Sequence, residues 1–170
     1  MLLFGLMALA AWADEVADIE NLLRSGQQAE ALRRTEAALA EQPRDGRLRF
    51  LKGVMLADAK RDDEAIRIFN SLTEDFPELA DPYNNLAVIY AARGQLQAAQ
   101  QALLVALRND PTHRAARENL GDVYLALAQQ AWTVAQTQAK GDDAELRRKL
   151  RLAREIQTVP AGAGLSRPPA

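Results

Sequence analysis

Residues 82–100 read PYNNLAVIYAARGQLQAAQ, and they decide the architecture. Apolar residues recur at helical spacing on both sides of Arg93-Gly94. That dipeptide is a turn signal, because glycine enters left-handed backbone without a steric cost. The stretch therefore predicts helix, tight turn, helix. Two adjacent amides, Asn84 and Asn85, interrupt the apolar run of the first helix. Nothing in the packing of a helix pair calls for them.

The same plan recurs along the chain. Ala31, Ala65 and Ala99 are 34 residues apart, as are Pro43, Pro77 and Pro111. Gly53, Ala87 and Gly121 form a third series of that period, and Leu22, Leu56, Tyr90 and Tyr124 a fourth. Turn signals at Ser25-Gly26, Lys60-Arg61 and Arg93-Gly94 precede helical stretches that each end at a proline, a residue that cannot continue a helix. The small residues permit close helix crossings, with Gly53, Ala87 and Gly121 facing Ala65 and Ala99. Leu86, Leu120, Tyr90 and Tyr124 are expected to wedge between neighbouring helices.

With this period and these residues, the chain resembles the tetratricopeptide repeat family, whose pattern runs W-x2-L-G-x2-Y, A-x3-F, P over 34 residues. The third unit carries Tyr83, Leu86, Ala87, Tyr90, Ala99, Leu103 and Pro111; the second carries Gly53, Leu56, Ala65, Phe69 and Pro77, with Lys52 in place of leucine. The fourth supplies Leu120, Gly121 and Tyr124 and then departs, with Thr133 at the small-residue place; the first retains Leu22, Gly26, Ala31 and Pro43. The resemblance implies an all-α solenoid of three to four antiparallel helix pairs over residues 14–140, in units of about 14–44, 45–78, 79–112 and 113–140. A charged amphipathic helix over 141–158, with Leu146, Leu150 and Ile156 on one face, reads as a cap. Residues 159–170, rich in glycine and proline, read as a disordered tail.

Composition narrows the function. The 170 residues carry 21 Lys+Arg and 23 Asp+Glu, so no general field attracts nucleic acid or anionic lipid. Without cysteine, disulfides, thiol catalysis and thiolate metal sites are excluded. The opening MLLFGLMALAAWA pairs a short apolar core with the small-x-small pattern Ala11-Trp12-Ala13, as export leaders do. It is shorter than the roughly 20 apolar residues that span a bilayer. Cleavage after Ala13, a periplasmic destination and no lasting membrane insertion are the expectation.

Phosphate loops, nucleophile elbows, paired metal histidines and dinucleotide fingerprints do not occur, so the chain reads as non-enzymatic, with no cofactor and no metal. His113, the one histidine, falls in an inter-repeat turn, where helix capping accounts for it. Asp62-Asp63-Glu64 and Asp142-Asp143 open helices, where carboxylates complement the dipole. The basic run Arg147, Arg148, Lys149, Arg151 and Arg154 reads as a solvated face, offset by Glu145 and Glu155.

In the tetratricopeptide repeat family the first helix of each repeat lines a concave surface that binds extended peptides or helices. Carried over, that surface comprises Arg47, Phe50, Val54, Asp81, Asn84, Asn85, Val88, Glu118, Asn119 and Asp122. Asn85 and Asn119 are again 34 apart, and an amide both donates to and accepts from peptide backbone. Bonding to the next helix is the alternative role, and one amide can fill both. The carboxylate clamp of chaperone-tail binders is not matched, because its basic places fall on Ala115 and Asn119. The chain is thus expected to be a scaffold that holds a protein or peptide, similar to small periplasmic members of the family in Gram-negative bacteria that serve envelope assembly. The rivals are an accessory regulatory subunit of an envelope enzyme and a self-associating structural protein, the latter a homo-oligomer through its last repeat or Trp132.

Overall fold

The computed structural model describes residues 15–138, 143–157 and 164–166. The leader over 1–13 lies outside them. Helices follow one another as α1 over residues 15–24, then α2 (Gln28–Glu41), α3 (Gly46–Asp58), α4 (Asp62–Asp75), α5 (Ala80–Ala92), α6 (Leu96–Asn109), α7 (Arg114–Gln138) and α8 (Ala144–Gln157). No strand occurs among the described residues, and no helix among them is long and apolar enough to cross a membrane. The chain forms two compact units, divided between Leu72 and Thr73.

The turns inside the hairpins share one device. Gly26 and Gly94 adopt left-handed backbone at φ 77° and 72°, and Lys60 does so at 61°. In each turn the next N–H reaches back five residues: Gln27 to Leu22 O, Arg61 to Leu56 O and Gln95 to Tyr90 O, all at 2.9 Å. The left-handed residue itself donates three residues back, to Leu23, Ala57 and Ala91. This paired bonding satisfies the last carbonyls of the first helix and reverses the chain. The periodic Leu22, Leu56 and Tyr90 are therefore the residues whose carbonyls close the turn. Lysine pays a steric cost there that glycine does not, so Lys60→Gly is expected to stabilise the first unit by about 1 kcal/mol. Urea unfolding checks this; an unchanged or lowered midpoint would refute it.

In the first unit, Val16 and Ile19 of α1 pack with Ala31 and Ala38 of α2 and with Leu48, Leu51 and Met55 of α3. The Asp45 carboxylate caps α3 by accepting from Leu48 N–H at 2.8 Å. Ala65 and Phe69 of α4 are fully buried, and a Cβ on Gly53 would stand 2.7 Å from Phe69 Cε1. The small-residue series thus marks a close crossing at this point. In the second unit, Ala87 of α5 packs with Leu96, Ala99, Leu103 and Ala106 of α6 and with Ala116 and Val123 of α7.

The last repeat differs from the expected helix pair. Ala128 stands 34 residues after Gly94, and alanine is the strongest helix former; α7 accordingly runs unbroken from Arg114 to Gln138. With no second helix folded back at that point, Gly121 meets nothing within 4 Å of an added Cβ, and Tyr124 is 46% exposed rather than wedged. The terminal helix α8 packs on α7, capped by Asp143 accepting from Leu146 N–H at 3.0 Å. Its buried face is Leu146, Leu150 and Ala153, at the i, i+4, i+7 spacing of one stripe. Ile156 falls off that stripe and is exposed, correcting its expected place.

Candidate functional site

The second unit brings three asparagines and a histidine onto one short piece of non-helical chain. Asn84 and Asn85 come from α5, Asn119 from α7, and His113 caps the start of α7 by accepting from Ala116 N–H at its Nδ1 (3.1 Å). The chain they hold is Gly164-Leu165-Ser166. These three residues of the expected disordered tail are held in place, because the amides supply the hydrogen bonds that their backbone needs. The rest of the tail lies outside the described residues.

Asn85 pairs with Ser166 as one peptide group pairs with another. Its Nδ2 donates to Ser166 O at 3.1 Å, and its Oδ1 accepts from Ser166 N–H at 2.5 Å. Reversing the amide would set donor against donor, so the pairing fixes its orientation. Asn84 Nδ2 donates to Gly164 O at 3.2 Å and to Ser166 Oγ at 3.0 Å, and lies 3.3 Å from Asn85 Oδ1. Asn119 Nδ2 donates to Asn84 Oδ1 at 2.8 Å and to Gly164 O at 3.2 Å. Asn119 thus bonds a neighbouring helix, one of the two roles expected of these amides, and ties the chain's own tail to it. All three amides are buried, as is Ser166, where an unsatisfied polar group costs about 1–3 kcal/mol.

His113 completes the cleft. Because Nδ1 accepts a backbone hydrogen bond, the ring hydrogen resides on Nε2. Nε2 faces Asp81 Oδ1 at 3.1 Å and Ser166 Oγ at 3.2 Å. Beside it, the Asp110 carboxyl lies below its ordinary value, first through the Thr112 hydroxyl, then through the Thr112 N–H and the nearby His113. The capping role read for His113 is observed, and its reach to the tail is an addition. A histidine in a turn gave no sign of that reach, because its partner lies 53 residues away in sequence.

The other predicted residues divide between the two units. In the second, Val88 and Asp122 border a cavity next to Asn119, Asp81 orients His113, and Glu118 is tied to Arg114 at 2.7 Å. In the first, Arg47 pairs with the buried Glu20 through Nε and Nη2 at 2.9 and 2.6 Å. Phe50 stacks at a tilt on Phe69, with ring centroids 5.9 Å apart, and Val54 is buried at 1% exposure. These three serve packing and pairing in the first unit. Among the described residues, no group of three or more His, Asp or Glu is placed to hold a metal ion.

A tetratricopeptide repeat model matches residues 19–80 and 84–135, more than half of the chain. The chain belongs to the tetratricopeptide repeat family. No curated protein matches it. Tetratricopeptide repeats generally mediate protein–protein interaction and are typically non-catalytic scaffolds, so a protein partner is the class of ligand that the family implies. The two matched stretches meet near the junction of the units, and the second contains Asn84, Asn85, His113 and Asn119.

Proposed function

We propose that this tetratricopeptide repeat protein is a non-catalytic scaffold that holds a non-helical segment of a partner protein in the asparagine-lined cleft of its second unit. The observation that carries this reading is the reciprocal pair between the Asn85 amide and the Ser166 backbone. A side-chain amide that both donates to and accepts from one residue's main chain is built to hold peptide, whatever its side chain. The apolar leader over 1–13 supports an exported, periplasmic setting in which the partner belongs to the cell envelope.

One experiment tests both parts. A photoreactive residue replaces Val88, which borders the cleft, and in a control replaces Gln101, exposed on α6. After irradiation of intact cells, Val88 should yield adducts that Gln101 does not, and the unreacted protein should have the mass of a chain starting at Asp14. Identical adducts from the two positions would sink the cleft reading. A mass that retains Met1 would sink the export reading.

A further inference from the structure

The tail occupies the cleft without filling it. Beside Gly164 lies a cavity of about 260 Å³, bordered by apolar side chains that include Ala87, Val88, Ala91, Leu103, Val123 and Ala126. That is several times the roughly 30 Å³ that one water takes up in the liquid. Gly164 borders the cavity, and a Cβ built on it would meet nothing within 4 Å. Asn84 and Asn119 meanwhile grip its carbonyl, which anchors the main chain beside the cavity.

Taking the cleft as a binding site, we propose that the tail is an undersized internal occupant and that the cleft's partner is a segment of the pattern apolar–x–Ser. The apolar side chain stands where the tail has Gly164 and enters the cavity. The serine stands where the tail has Ser166, its main chain on Asn85 and its hydroxyl between Asn84 and His113. The tail and the partner make the same backbone bonds, so those bonds cancel when one replaces the other. The difference between them is apolar burial, which the tail forgoes and the partner gains. A tethered occupant also competes at high effective concentration, so segments that cannot fill the cavity are refused. The tail thereby sets a threshold for selectivity without a charge or a conformational switch.

Two labelled peptides test this, one spanning residues 161–170 and one identical except for Gly164→Leu. Each is titrated by fluorescence anisotropy against the full chain and against full-chain Ser166→Pro, which lacks the N–H that Asn85 accepts and so releases the tail. The leucine peptide should bind Ser166→Pro at least tenfold more tightly than the glycine peptide does. Both should bind the wild-type chain at least tenfold more weakly than Ser166→Pro. Equal affinity of the two peptides would overturn selection by the cavity, and equal binding by the two proteins would overturn occupancy by the tail. Binding of neither peptide to Ser166→Pro would instead defeat the cleft as a binding site, and the proposal with it.

Discussion

Phe69→Ala will cost the first unit about 3–5 kcal/mol, the range for removing a fully buried aromatic ring. The ring is 0% exposed and occupies the notch left by the missing side chain of Gly53, with Phe50 tilted against it at 57°. Truncation loses both the transfer energy of the ring and the contacts of everything that lines the void. Collapse is impeded, because α3 is also held by its buried Leu48, Leu51, Met55 and Leu56. The complementary change, Gly53→Ala, drives a methyl into the ring and should cost about 1–3 kcal/mol by overpacking. In the double variant that methyl has room, so the combined loss should fall short of the sum. Urea unfolding followed by circular dichroism measures all three. A loss below about 1 kcal/mol for Phe69→Ala would show that the ring does not hold α3 to α4.

Asn84→Leu will weaken docking of the tail roughly thirty- to hundredfold. The variant keeps the shape of the side chain and removes every hydrogen bond it makes. Gly164 O and Ser166 Oγ lose a donor, and Asn119 Nδ2 loses its acceptor at 2.8 Å. Losing three buried hydrogen bonds at about 1 kcal/mol each costs about 2–3 kcal/mol, and about 1.4 kcal/mol corresponds to tenfold. The measurement is hydrogen exchange at the Ser166 amide, whose protection should fall by that factor while helix content is unchanged. Helix content is a fair control, because the α5–α6 contact rests on Ala87, Leu96, Ala99 and Leu103. Protection within threefold of the wild type would mean that Asn85, Asn119 and His113 hold the tail without Asn84.

The helix hairpins were legible in the sequence because packing and turn chemistry repeat. Glycine at 26 and 94, small residues at the crossings and proline after each second helix state the same instruction in different physical terms. Where only part of that grammar persists, the reading strayed. Gly121 and Tyr124 keep the spacing of a repeat, but Ala128 provides no left-handed turn, and the helix that would cover them never folds back. The asparagines could be found by subtraction, as polar groups that packing did not need. Their occupant could not, since a segment rich in glycine and proline has no periodicity and no apolar mass of its own. Its order comes from hydrogen bonds supplied by residues some 80 positions away, a relation that no local pattern encodes. All ten groove residues were placed by family analogy, and of these Arg47, Phe50 and Val54 also pair and pack within the first unit.

The Asn85 pair with Ser166 has a consequence for which sequences the cleft can admit. The amide needs a main-chain N–H and a carbonyl from the same residue, and nineteen of the twenty amino acids supply both. Proline lacks the hydrogen. A randomised peptide library enriched on this protein should therefore be strongly depleted of one amino acid at that single position. Proline would be tolerated a few places further on, as in the chain's own Arg167-Pro168-Pro169. Such a gap in the selected sequences would mark the register in which the cleft reads any segment, before a natural ligand is in hand.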